Sequence, residues 1–346
     1  MGTFFFSMAL IILIVVVFDI SEKIDDFLAK EAPLRAIVFD YYFNFIPYFV
    51  SLFSPLFTFI AVILFTSQMA TRTEVVAILS SGVSYNRILV PYMLSATVIA
   101  LLSLYLNNFL IPHATKKRIE FEDRYIRDQF HNRDRNIHKQ IAPDNYIYLE
   151  RYATEENTGY RFSIEKFDKG ELYYKMMAET IKWDSVKSHW TINNYFIRTI
   201  KGENEYIRKG TAIDTMLDFT PQEFGRKDNT VETMDYTELN QYITSEKLKG
   251  SENTEVYQIN KYSRSSFPFA TFILTLIGVS IASRKIRGGI GMHIGLGILI
   301  SFTYIMFMQV STTFAASGSI SPLIAVWIPN ILFSFLAWYL LAKAQK

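Results

Sequence analysis

The stretch IPYFVSLFSPLFTFIAVILFTSQM, Ile46 to Met69, contains no Asp, Glu, Lys or Arg. Crossing the hydrocarbon core of a bilayer as a helix takes roughly 20 apolar residues, because the backbone groups must be satisfied within the segment. Ile46 to Met69 meets that length, and five other blocks repeat the pattern: Phe4 to Phe18, Ile88 to Ile111, Phe267 to Ala282, His293 to Ala316 and Leu323 to Leu341. Six transmembrane helices are therefore expected. The 346 residues are 50% hydrophobic and 16% aromatic, a membrane composition once the apolar residues fall in such blocks.

Several function classes drop out at this level. The formal charge of +2 is too small to suggest nucleic acid as a partner. With no cysteine, there is no disulfide framework, thiolate nucleophile or Cys-ligated zinc. No G-x-x-x-x-G-K-[ST], H-E-x-x-H or G-x-S-x-G occurs, and the five histidines are scattered without ligand spacing. No enzyme and no cofactor are expected. Helices two and five carry almost no ionisable group at depth, which argues against an ion-coupled carrier.

Met1 to Phe18 has no basic residue and no clear cleavage site before Asp19, so it reads as a retained span rather than a signal peptide, with a basic lead-in expected upstream. Short loops set orientation, since Lys and Arg mark the cytoplasm. Ser283 to Gly289 holds Arg284, Lys285 and Arg287 without an acid, the tail holds Lys343 and Lys346, and the loop after the second span holds Arg72 and Arg87 against Glu74. Asp19 to Asp40 holds six acids against three bases. Both termini are thus expected in the cytoplasm, with the long section between the third and fourth spans outside.

That section opens as a charged helical extension, Lys116 to Phe130, and alternates from Asn145 onward, as in Tyr146-Ile147-Tyr148-Leu149-Glu150-Arg151-Tyr152. Asp168-Lys169-Gly170 and Lys201-Gly202-Glu203 punctuate it as turns. Short β-rich runs of this kind predict an antiparallel sandwich or jelly-roll. The expected division is residues 1–115 for helices one to three, 116–264 for the extracytoplasmic β domain and 265–346 for helices four to six.

Thr71 to Arg87 is the most informative loop. Thr73 is placed to cap a short helix near 73–82, Val75, Val76, Ile78 and Leu79 would give it an apolar surface, and Gly82 would end it. Two readings stand for the residues alone: docking into a groove of a cytoplasmic motor subunit, with Glu74 and Arg87 as orienting charges, or an interfacial connector resting on lipid. Near the outer mouth of the first helix, Lys23 and Lys30 could meet the phosphates of an anionic lipid, although a solvated helix end is the plainer reading and the better one for the acids around them. Gly291 and Gly295 form a G-x-x-x-G that predicts close helix packing.

In their order along the chain, several segments resemble the lipopolysaccharide export permease family LptF/LptG, also called YjgP/YjgQ: Phe18-Asp19-Ile20-Ser21-Glu22-Lys23-Ile24-Asp25, Thr73 to Ser84, Asn107-Asn108-Phe109-Leu110-Ile111-Pro112, Phe267-Pro268-Phe269, Ser283 to Gly289 and Trp327-Ile328-Pro329-Asn330. The first of these leans towards LptG. The resemblance implies a six-helix permease half with an inserted periplasmic β-jellyroll, a sister permease subunit, a cytoplasmic ABC ATPase dimer, periplasmic bridge components, and lipopolysaccharide drawn from membrane lipid as cargo. It also implies that Glu74, Val75, Ile78, Leu79, Gly82 and Arg87 couple to the ATPase, and that Lys23 lies at the lipid entrance. Two rivals remain. A lipoprotein-release or peptide-export permease usually has four spans per chain, and a non-transporting envelope anchor would not need the apolar loop helix.

Overall fold

The computed structural model describes residues 1–127, 134–217, 219–224, 230–251, 253–284 and 289–344. Lys285, Arg287 and Lys346, three of the basic residues used to orient the chain, lie outside these, as do residues 128–130 of the expected helical extension. Two compact units are present. One comprises Met1–Ile126, Val231–Asn240 and Glu255–Lys346, the other Arg127–Thr230 and Gln241–Thr254. The helix beyond Lys116 and a return segment cluster with the spanning helices.

All six apolar blocks are helical, over Gly2–Ala29, Leu34–Thr71, Tyr85–Tyr125, Thr254–Ala282, Ile290–Ala316 and Pro322–Ala344. Most are longer than their apolar cores, because a helix already satisfied in its backbone continues into flanking polar residues without penalty. Pro47, Pro55, Pro91, Pro268 and Pro329 lie inside helices. Spanning helices tolerate this where Ser, Thr and neighbouring helices take up the freed backbone groups. Ser317 to Ser321 turns the fifth helix into the sixth, with Gly318 at φ +76° and the Ser319 amide bonded back to the Phe314 carbonyl at 3.1 Å.

Helices two, four, five and six share a core built on Phe59, Ile63, Leu274, Ile277, Tyr304 and Phe333. Asn330 ties three of them, accepting from the Tyr304 hydroxyl at 2.9 Å and donating to the Ser266 carbonyl at 2.9 Å. Glycine packing differs from expectation. A Cβ at Gly291 or Gly295 would meet nothing within 4 Å, whereas one at Gly297 would come within 2.4 Å of Ile63 and one at Gly278 within 2.9 Å of Phe59. The close approach within the chain is made at positions that no short motif marks.

Two π-helical turns interrupt the long helices, Ile37–Tyr42 and Leu106–Leu110. Each inserts an extra residue per turn and re-aims the helix beyond it, a device common at functional positions.

In the second unit, six strands form one sheet in chain order: β1 Arg135–Ala142, β2 Asn145–Ala153, β3 Thr158–Asp168, β4 Glu171–Asp184, β5 His189–Lys201 and β6 Asn204–Thr215. Every neighbouring pair is antiparallel. Among the described residues the strands follow one another as a meander, which refines the jelly-roll expectation: no crossover interleaves them. Lys169 and Gly170, both with positive φ, make the two-residue turn between β3 and β4, and Gly202 opens the one between β5 and β6. Ile147, Leu149, Phe162, Ile164, Ile181, Trp190 and Ile192 alternate onto one face, where Phe219 and Phe224 from the segment after β6 complete the core. The indole of Trp190 donates to the Phe219 carbonyl at 2.9 Å.

Candidate functional site

At one end of the helical unit, the second spanning helix closes at Thr71 and the chain turns at once into the helix Glu74–Ser80. Thr73 makes the joint with φ 62°, a left-handed conformation rare for a β-branched residue. The expected side-chain cap is absent: in that conformation the Thr73 hydroxyl bonds the Arg72 carbonyl at 2.6 Å rather than the helix amides. Gly82, at φ +88°, ends the helix, its amide bonded to the Leu79 carbonyl at 3.1 Å.

The four apolar residues differ in burial. Val75 is buried, with 4% of its surface accessible. Ile78 lines a cavity, while Val76 and Leu79 are 60% and 38% exposed. A heptapeptide turns through two full revolutions, so neighbours such as Val75 and Val76 must diverge by about 100°. Glu74 is exposed, 3.9 Å from Arg72. Arg87, in the first turn of the third spanning helix, lies with Ile78 and Val83 on a cavity of about 620 Å³ that reaches Met1, Phe65 and Tyr92. The structure thus joins Ile78 to Arg87 and leaves Glu74, Val76 and Leu79 facing outward.

The opposite end is wired differently. Asp19 is 9% exposed and accepts hydrogen bonds from Tyr42 at 3.0 Å, Tyr41 at 3.2 Å and the Lys23 ammonium at 2.6 Å. Lys23 also donates to the Tyr41 hydroxyl and lies 4.9 Å from the centre of that ring. The reading of this cluster as a solvated helix end is corrected for Asp19 and Lys23, because the π turn at Ile37–Tyr42 carries two tyrosines onto the first helix. Glu22 and Asp25 do face outward. Lys30 donates to the Ile126 carbonyl at 3.3 Å.

A separate cavity of about 200 Å³ is lined in part by Tyr48, Ser51, Asn107, Glu232, Asn260 and Arg264. Arg264 donates to the carbonyls of Val231 and Met234 at 2.7 and 2.8 Å, holding the return segment. Arg118 packs over the Tyr48 ring at 5.6 Å. Burial holds the Glu232 carboxyl above the usual carboxylate range, against the pull of Arg118 and Arg264. Sequence reading passed over these three charges. Only the position of Arg264, three residues before an apolar block, could have drawn notice.

Compared with known families, residues 1–343 match the one described as lipopolysaccharide export system permease LptF/LptG. The chain belongs to the LptF/LptG permease family. A comparison with curated proteins gave no match. The six apolar helices and the inserted sheet are what this membership requires of a multi-pass inner-membrane protein. An LptF/LptG permease is a transport subunit of lipopolysaccharide export. Among the described residues no group of His, Asp and Glu could hold a metal ion.

Proposed function

We propose that this LptF/LptG chain is one permease half of an ABC-type lipopolysaccharide exporter, driven by a separate cytoplasmic ATPase dimer. The observation that carries this is the helix Glu74–Ser80. It is fixed at both ends by left-handed residues, anchored through Val75, and presents Val76 and Leu79 outward in a chain with no phosphate-binding motif of its own. An apolar pair on a short rigid helix fits a groove in a partner. Glu74 and Arg87 are the charges that would orient the docking, and Ile78 would pass the push inward to the cavity.

Arg72, Arg87, Arg284 and Lys343 gather towards this end, which by the positive-inside rule is cytoplasmic, with both termini. The sheet then stands in the periplasm. Its β6 is exposed along most of its length and bounds the sheet, so it offers an edge on which sister or bridge components could extend the strands. Lys23 and Lys30 are the entrance candidates, each having to exchange a protein partner for a lipid phosphate. The first-helix segment favours the LptG side of the pair. Six spans rather than four speak against a lipoprotein-release permease.

The test is hydrolysis by the assembled complex of this chain, a sister permease and the ATPase in vesicles. Lipopolysaccharide should raise the rate. Equal rates with and without it would count against the exporter reading.

A further inference from the structure

The short helix Glu74–Ser80 is an extension of the second spanning helix, joined through only Arg72 and Thr73. One turn above that joint, the Ser67 hydroxyl lies 2.8 Å from Nδ1 of His293, near the start of the fifth helix. Both residues are almost fully buried, at 1% and 2% exposure. One turn further on each helix, Ile63 meets Gly297 so closely that a Cβ there would stand 2.4 Å from the isoleucine methyl. The two contacts run in antiparallel register, so helices two and five share a seam whose side-chain hydrogen bond among the described residues lies at the end nearest the joint. The main chain of Arg284 also lies beside the His293 ring, and Nε2 has no hydrogen-bond partner among the described residues.

A buried polar pair between two packed spanning helices does little for stability and much for register, because sliding would leave a hydroxyl and an imidazole unpaired in hydrocarbon. Apolar side chains slip past one another more freely than a buried hydrogen bond can. Neither Ser67 nor His293 touches the candidate docking surface, and neither lines the cavities described above.

We infer that the Ser67–His293 hydrogen bond is a positioning contact that carries movement of the Glu74–Ser80 helix into the fifth spanning helix, converting ATPase motion into movement of the wall around the lipid. This rests on the exporter reading. Thr66, beside Ser67, donates to the Tyr92 hydroxyl at 2.9 Å, so the same turn of helix two also grips helix three. The joint therefore hangs from one helical turn that is polar-locked on two sides.

The test uses the whole complex in vesicles and reads two numbers, ATP hydrolysed and lipopolysaccharide transferred per ATP. Ser67→Ala removes one hydroxyl and His293→Ala its partner. Each should leave hydrolysis within about twofold and lower transfer per ATP by about threefold to tenfold. The double variant should fall no further than either single, and Ser67→Thr, which keeps the hydroxyl, should hold the wild-type ratio. Loss of hydrolysis and transfer in parallel, additive losses in the double variant, or an unchanged ratio would each overturn the inference. A wild-type complex whose hydrolysis ignores lipopolysaccharide would instead sink the exporter reading itself.

Discussion

The two ends of the helical unit treat their conspicuous residues in opposite ways. At the Lys23 end, charges that look like a binding patch are consumed internally, with Asp19 holding two tyrosines and an ammonium. At the Glu74 end, apolar residues that look unremarkable are left outward, with Val76 and Leu79 exposed on a helix whose position is fixed. Chemistry written densely in a sequence can serve the fold, while an open partner surface can be written in two aliphatic residues. What separates the cases is whether the chain itself supplies the complementary groups.

The largest effect should come from breaking the open side. Val76→Asp or Leu79→Asp should lower capture of the ATPase by more than about tenfold, as for a buried interface anchor. The melting temperature of the permease should hardly move, since exposed substitutions are usually within about 0.5 kcal/mol. Glu74→Lys should act in the same direction with a smaller loss and a stronger dependence on salt. Undiminished capture by the aspartate variants, measured by co-purification at fixed expression, would erase the contrast between the two ends.

The closed side is sharpened by comparing Asp19 with Asp25, two acids six residues apart on the same helix. Asp19→Ala leaves Lys23 beside the Tyr41 hydroxyl with its counter-charge gone, and should destabilise by roughly 3 kcal/mol, the low end for breaking a buried pair. Asp25 faces outward, so Asp25→Ala should be close to neutral. Equal shifts in thermal unfolding would mean the network is incidental.

This pair also shows how far the residues could be read. Membrane spans were legible because hydrocarbon imposes one rule on every residue of a span, so Ile46 to Met69 could hardly be anything else. Strands β2 to β5 announced themselves through alternation, but β6, whose residues are mostly exposed on both faces, carries no such signal, and β1 only a weak one. The joint at 72–82 was legible through Gly82 and the aliphatic run. Which face Val75 would take was not, since seven residues define no stripe. Asp19 was misjudged because its partners lie about twenty residues away across a π turn, and propensity says nothing about where such a turn falls. Ser67 and His293 are 226 positions apart, and only packing brings them together.

The smallest effect concerns the hinge between the two behaviours. Thr73 holds φ 62° against the preference of a β-branched side chain, a conformation that stores on the order of 1 kcal/mol. Thr73→Gly removes that strain but also widens the conformations open to the unfolded chain and to the joint, and the two terms nearly offset. The net change in unfolding free energy should therefore stay within about 1 kcal/mol of zero. Transfer per ATP is the sharper readout, because a joint that can swivel delivers less of the push from the docked helix to Ser67. A drop of about twofold in that ratio with normal ATPase capture is expected, and it would set Thr73 apart from Val76 and Leu79, whose substitution should remove capture itself. An unchanged ratio would mean that Val75, buried beside the joint, is enough to keep the short helix rigid.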